Sequence, residues 1–242
     1  MRVRIGRTLI VAGALLLALS AGPRAQTPDA LPPDVAFGRS IAIIRAHVGT
    51  GDELVQRRDW NVAYRHFMFP LEEVYGVIRG DLRAYKAPPF DGALKSLARI
   101  VKAHSAKQYP KALQAVESAL DAADANLEAR QTNRPAFVVQ VAVATLQAAP
   151  DEYDDAVVDG RIARPISYQV ARGYVLQAER MIERVSPTLI ELNSDALLEI
   201  RDNFAQLKQV FAGVNAPKQP VLDVAAVTGR VAKIAAVAAA LR

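Results

Sequence analysis

Apolar residues recur at helical spacing along nearly the whole chain. Phe37, Ile41, Ile44 and Val48 fall on one stripe, which Gly49-Thr50-Gly51 interrupts before Leu54 and Val55 resume it. Asp34 is placed to cap this first helix, and Asp59 a second from about Trp60 to Tyr85. Pro70 falls inside that second helix, where it removes one amide and strips the carbonyl of His66 of its usual partner, so a kink or short break is expected. Ala87-Pro88-Pro89 is a stop. Phe90, Leu94, Leu97 and Val101 carry the next helix to about Ala103, and another starts near Tyr109-Pro110 and runs through Val116, Leu120 and Leu127.

The second half repeats the pattern. Pro135 opens an apolar segment to Ala149, followed by the acidic run DEYDDAVVDG, in which Gly160 is a natural left-handed cap. Pro165 begins a sixth helix with Tyr168, Ala171, Val175, Ala178 and Ile182 on one side, and Pro187 ends or bends it. Asn193 or Ser194 caps a seventh, whose stripe is Leu197, Ile200, Phe204, Leu207 and Phe211. Pro217 and Pro220 separate it from a last helix, Val221 to Leu241, whose Asp223, Arg230 and Lys233 mark a packed helix rather than a membrane span. No stretch alternates as a strand bounded by hairpin chemistry. The fold class is therefore all-α: about eight antiparallel helices, arranged as one bundle or as two packed four-helix halves, residues 34–131 and 135–242, hinged near Gln131 to Pro135.

The N-terminus falls outside this pattern. Arg2, Arg4 and Arg7 precede an apolar run from Leu9 to Leu19 and a small-residue stretch from Ala21 to Ala25, which together make residues 1–25 a signal peptide and the periplasm the expected destination. Residues 26–33, polar and proline-rich, read as a flexible leader. Removing residues 1–25 takes away four of the thirty basic residues and no acidic one, which leaves 26 against 25 and a mature charge of +1. Nucleic acid is excluded as a partner on that balance, because phosphate binding needs clustered positive charge on the folded body. The chain has no cysteine, which removes disulfides, thiolate metal sites, iron–sulfur clusters and a cysteine nucleophile. Its three histidines, His47, His66 and His104, form no His-x-x-His or His-Glu-x-x-His pair.

Three constellations carry candidate chemistry. Asp151, Glu152, Asp154, Asp155 and Asp159 are the densest; Asp151, Asp155 and Asp159 stand four apart and share one face if the helix continues, where their repulsion calls for a hard cation or for arginines such as Arg161, Arg164 or Arg172. Around the proline, His66, Glu72 and Glu73 could be drawn together by the kink into an oxygen and nitrogen site, or stand as a part-buried histidine and two surface acids. Glu179, with Glu183, is either turned inward toward a cation or paired on the surface. His104, near a helix end, is expected to meet terminal carbonyls. No Gly-x-Ser-x-Gly elbow or phosphate-cradling loop is present, so no catalytic residues are assigned.

The segment YDDAVVDGRIARPISYQVARGYVLQAERMI, residues 153–182, resembles the exported helical regions that accompany bacterial iron permeases, in which an acidic turn joins two long helices. It is also similar to imelysin-like periplasmic proteins, built as two helical bundles and implicated in iron uptake. Imelysin-like proteins commonly carry a His-x-x-Glu motif; here Phe69 stands three residues after His66. The resemblance implies a non-catalytic exported bundle that binds a metal, iron or another divalent cation, or that serves a metal-uptake system through an envelope or permease protein partner. The metal ligands expected on this basis are His66, Glu73, Asp155 and Asp159, with Glu72, Asp151 and Glu179 as second choices. A structural interaction module without any ion is the competing expectation, and a hydrolase ranks behind both.

Overall fold

Residues 30–241 are described by a computed structural model; the expected signal peptide lies outside the described residues. The first helix, α1 (Pro33–Gln56), runs without a break through Gly49-Thr50-Gly51. Its start is set by Pro32 and Pro33 and not by Asp34, whose side chain makes no cap. Asp34 instead accepts hydrogen bonds from the Gln131 amide at 2.8 Å and the Tyr85 hydroxyl at 2.9 Å, and these, the Gln131 bond foremost, hold its carboxyl below the ordinary range.

Gly38 and Gly51 inside α1 serve packing. A Cβ on Gly51 would stand 2.6 Å from the Phe67 ring, so its absence lets α2 (Trp60–Phe69) lie directly on α1. On the opposite partner, a Cβ on Gly173 would meet Thr50 Oγ1 at 2.8 Å and the Ala46 carbonyl oxygen at 3.2 Å. Asp59 caps α2, accepting from the Val62 amide at 3.4 Å. After Phe69 the chain widens into a single π-turn, Pro70–Val74, before α3 (Tyr75–Ile78). The break expected at Pro70 takes this form: the Tyr75 amide reaches back five residues to the Pro70 carbonyl. The helix predicted to reach Tyr85 thus ends at Ile78, and turns lead to α4 (Asp91–Lys102) and α5 (Tyr109–Glu128). His104 follows α4 at φ 52°; its ring stacks on Trp60 and meets Asn61 Oδ1 at 3.3 Å, so it does not serve the helix-end carbonyls.

The second half comprises α6 (Arg134–Leu146), α7 (Ala149–Ala156), α8 (Pro165–Val210) and α9 (Val224–Ala238), the last running into a 3-10 turn at Ala239–Leu241. Between α7 and α8 lies a hairpin that the helical pattern concealed. Strands β1 (Val157–Val158) and β2 (Arg161–Ile162) pair antiparallel around Asp159 and Gly160, at φ 51° and 71°. Asp-Gly with both residues left-handed is the preferred two-residue hairpin turn. Helix α8 leaves helical geometry at Asn193 (φ −163°, ψ 92°), whose Oδ1 caps the arm beyond by accepting from the Ala196 amide at 3.0 Å. The two arms run back along each other, as Glu183 with Arg201, Glu179 with Lys208 and the Tyr168 hydroxyl with the Val210 carbonyl show. Pro187 sits inside the first arm without ending it.

The fold is all-α, with the hairpin as its only strands among the described residues. One apolar cluster joins both halves, from Ile41 and Ile44 on α1 through Leu120, Val139 and Val175 to Ile234. Val224–Leu241 is long and apolar enough to cross a membrane by length and composition, with a mean hydropathy of 1.7. Here Val227, Val231, Ile234, Ala238 and Leu241 bury one stripe of it in that cluster, and Lys233 pairs with Glu199 at 3.0 Å.

Gly51→Ala should therefore lower the thermal midpoint by several degrees, for an overpacking cost of about 1–3 kcal/mol. Gly92→Ala, whose Cβ meets open space at the start of α4, should leave the midpoint unchanged or raise it. Equal effects of the two in a circular-dichroism melt would contradict the packing role of Gly51.

Candidate functional site

Two histidines on different helices meet in the interior. His47 projects from α1 and His66 from α2, at 3% and 1% exposure, with their Nδ1 atoms 3.4 Å apart. His47 stacks on Phe69, ring centroids 4.2 Å apart and nearly parallel, and faces the edge of Tyr174. His66 Nε2 lies 3.0 Å from Gln169 Oε1, while the Gln169 amide nitrogen donates to the Val214 carbonyl at 3.1 Å.

These bonds assign the protons. The Gln169 nitrogen is spent on Val214, so its oxygen accepts and His66 Nε2 carries a hydrogen. A neutral His66 then presents a lone pair at Nδ1, and the hydrogen between the rings belongs to His47 Nδ1. His47 Nε2 is left as an unprotonated lone pair, buried and with no hydrogen-bond partner among the described residues. Both rings are held neutral. Burial drives the His47 pKa well below its ordinary value, and repulsion from His66 adds to this. Burial also lowers His66, against the opposing effect of its bond to Gln169.

The pair forms one wall of a cavity of about 540 Å³. Glu72 and Glu73, exposed on the π-turn, rim it from one side; Glu152 on α7 and Ser167 on α8 close it from the other. Glu152 is half-buried and forms no ion pair among the described residues; burial, then the charges of Asp155 and Asp151, push its carboxyl upward. The negative potential of Glu152 in turn adds to the burial that raises Tyr174. The lining thus combines two buried imidazoles and three carboxylates with one cationic side chain, Arg65.

His66, Glu72 and Glu73 line this one cavity, His66 buried and the two glutamates exposed at its rim. It does not bring Asp155 and Asp159 there. Helix α7 ends at Ala156 because the next residues form the hairpin, so the shared face of Asp151, Asp155 and Asp159 does not exist. Asp155 is bound by Arg164 and by the Ser167 hydroxyl at 2.5 Å; Asp159 is exposed at the hairpin tip, and Asp151 is exposed on α7. Glu179 pairs with Lys208 at 2.6 Å, the surface alternative of the two readings. Among the described residues no three of His, Asp and Glu form a ready-made cation cage. His47, Gln169 and the inward placement of Glu152 were missed. The one signal for His47 was its place on α1 between the buried Ile44 and Val48; its partner lies nineteen residues away on another helix.

The comparisons bear on the half that holds Glu152, Ser167 and Gln169. Residues 128–241 match the iron permease-associated 4-helix bundle domain. The match takes in α6 to α9 and the whole resembling segment 153–182, and it supports association with iron permeases, not the imelysin-like proteins in particular. Comparison with curated proteins and with solved structures finds no match. The cavity thus straddles the matched domain and the helices that precede it.

Neutral buried imidazoles have a consequence for stability. In the unfolded chain they take up protons near pH 6.5, while in the folded chain they resist, so stability is complete above that pH and declines as the pH falls through it. The thermal midpoint should drop between about pH 6.5 and 5, before carboxylates titrate, and His47→Phe should flatten the slope. A midpoint that stays level for the parent protein across that window would contradict the assignment.

Proposed function

We propose that this protein is an exported, non-catalytic accessory of iron uptake that binds a divalent cation, ferrous iron foremost, in the cavity beside His47 and His66. The observation that carries the reading is the unpartnered His47 Nε2. A buried acceptor without a partner costs free energy on the order of 1–3 kcal/mol, and a site that retains one has a use for it. The reading is supported by the carboxylates of Glu72, Glu73 and Glu152 around the same cavity and by the iron permease-associated domain that forms its far wall. The leader read at residues 1–25 supports a periplasmic location, and the domain match supports a permease as the partner.

The donor set fits iron as cargo. Imidazole nitrogen and carboxylate oxygen together suit iron, manganese and zinc, and the absence of cysteine disfavours cuprous ion. Glu72 and Glu73 are exposed on the π-turn, so the site is completed by rotation of their side chains onto the ion, which also allows release. Entry of a cation at His47 Nε2 displaces no proton, because that nitrogen carries none.

Calorimetric titration of chelator-treated mature protein with ferrous, manganous and zinc ions under anaerobic conditions tests the reading. Saturable binding is expected, weakened at least about tenfold by Glu72→Gln with Glu73→Gln, exposed substitutions that leave folding intact, and abolished by His47→Phe. Binding unaffected by these changes would place the ion elsewhere. No heat with any ion would overturn metal binding and leave an interaction module that contacts a permease through its surface alone.

A further inference from the structure

A second cavity lies on another side of the molecule, about 380 Å³ in volume, between α1, α5, the start of α6 and the first arm of α8. Its walls hold four arginines, Arg45, Arg134, Arg180 and Arg184, and three carboxylates. The carboxylates are all committed. Arg45 spans Asp124 at 2.9 Å and Asp121 at 2.7 Å. Glu128, nearly buried, gives one oxygen to Arg134 at 2.6 Å and the other to Arg184 at 2.5 Å.

Arg180 is left over. Its guanidinium meets the neutral side-chain carbonyl of Gln177, at 2.8 and 3.3 Å, and no carboxylate among the described residues. It stands one turn before Arg184 on the same helix, a like-charge spacing that is unfavourable without an anion. Burial, and then the charges of Arg45 and Arg172, lower its pKa against the opposing pull of Glu179. A smaller cavity of about 220 Å³ is also lined by Arg45 and Arg180, with Glu117 on its wall and not in ion-pair contact with Arg180, so Arg180 borders two open spaces. Arg134 and Arg184 each spend only one N–H on Glu128, and both side chains are more than a third exposed, so their planar forks keep donors for a further acceptor.

We propose that this cleft binds a small oxyanion, a carboxylate or a phosphate, held by Arg180 and the unspent N–H groups of Arg184 and Arg134. Guanidinium forks match the paired oxygens of both groups, and an anion here supplies the negative charge that the three carboxylates do not. The cleft joins α1 and α5 to α6 and α8, so an occupant ties the two halves together. The inference stands apart from the cation cavity, with which it shares no residue.

Thermal melts and calorimetric titrations of the mature protein with citrate, succinate and inorganic phosphate, against chloride at matched ionic strength, test it. Saturable binding with Kd near or below about 1 mM is expected for at least one of the three, and the pattern among them tells carboxylate from phosphate. Arg180→Gln should weaken it about tenfold or more, and Arg180→Lys should restore only part, because an ammonium lacks the fork. Arg180→Glu should abolish binding while leaving the melt of the anion-free protein at least as high as that of the parent, which separates lost binding from lost folding. Cation titration should be unchanged in every Arg180 variant. No response beyond that of chloride, or binding by Arg180→Gln equal to that of the parent, overturns the proposal.

Discussion

The structure depends on how closely α1 is allowed to approach its neighbours. With no disulfide to hold the chain, packing alone fixes the helices, and α1 touches both halves through positions where a side chain is missing. Gly51 admits the Phe67 ring from α2, Gly173 admits Thr50 and the Ala46 carbonyl against α8, and Gly38 admits Val141 from α6. His47 sits on α1 among these contacts. Its depth of burial, and hence its neutrality and its lack of a partner at Nε2, follows from helices brought nearly into backbone contact around it.

From that constraint comes a one-directional chain of hydrogen bonds. His47 donates to His66, His66 to Gln169, and Gln169 to the Val214 carbonyl in the connection between α8 and α9. Each ring donates once along this chain, and His47 Nε2 is the buried acceptor left without a partner among the described residues. The neighbouring side chains of α8 fix the same connection: Tyr168 reaches the Gly213 carbonyl and Arg172 the Phe211 carbonyl, while Glu53 on α1 holds Arg172 at 2.6 Å. The histidine pair is thus anchored to both halves, and the matched domain supplies the end of the chain that sets the proton positions.

Much of the fold was legible because its signals are local. Asp59 as a cap, Pro70 as a disturbance, the break before Arg134 and the turn at Asn193 each follow from a residue and its immediate neighbours. The errors share a cause as well. Gly49 and Gly51 look like an interruption when only chain propensity is considered, yet the helix runs through both, and tertiary contact makes Gly51 a reason α1 can pack. The Asp159-Gly160 turn was obscured by apolar spacing that fits a helix, although its hairpin signal was present. The site was half legible. Proline geometry linked His66 to Glu72 and Glu73, whereas the meeting of His47, His66 and Gln169 spans three helices and more than a hundred residues, beyond what spacing can encode.

The central claim is the location of two protons and one lone pair. Long-range proton–nitrogen correlation spectra of the histidine rings at neutral pH report it directly, because protonated and unprotonated ring nitrogens resonate far apart. The account predicts two neutral rings of opposite tautomer, His47 with its hydrogen on Nδ1 and His66 on Nε2. A charged His47, or the two rings in the same tautomer, would contradict it.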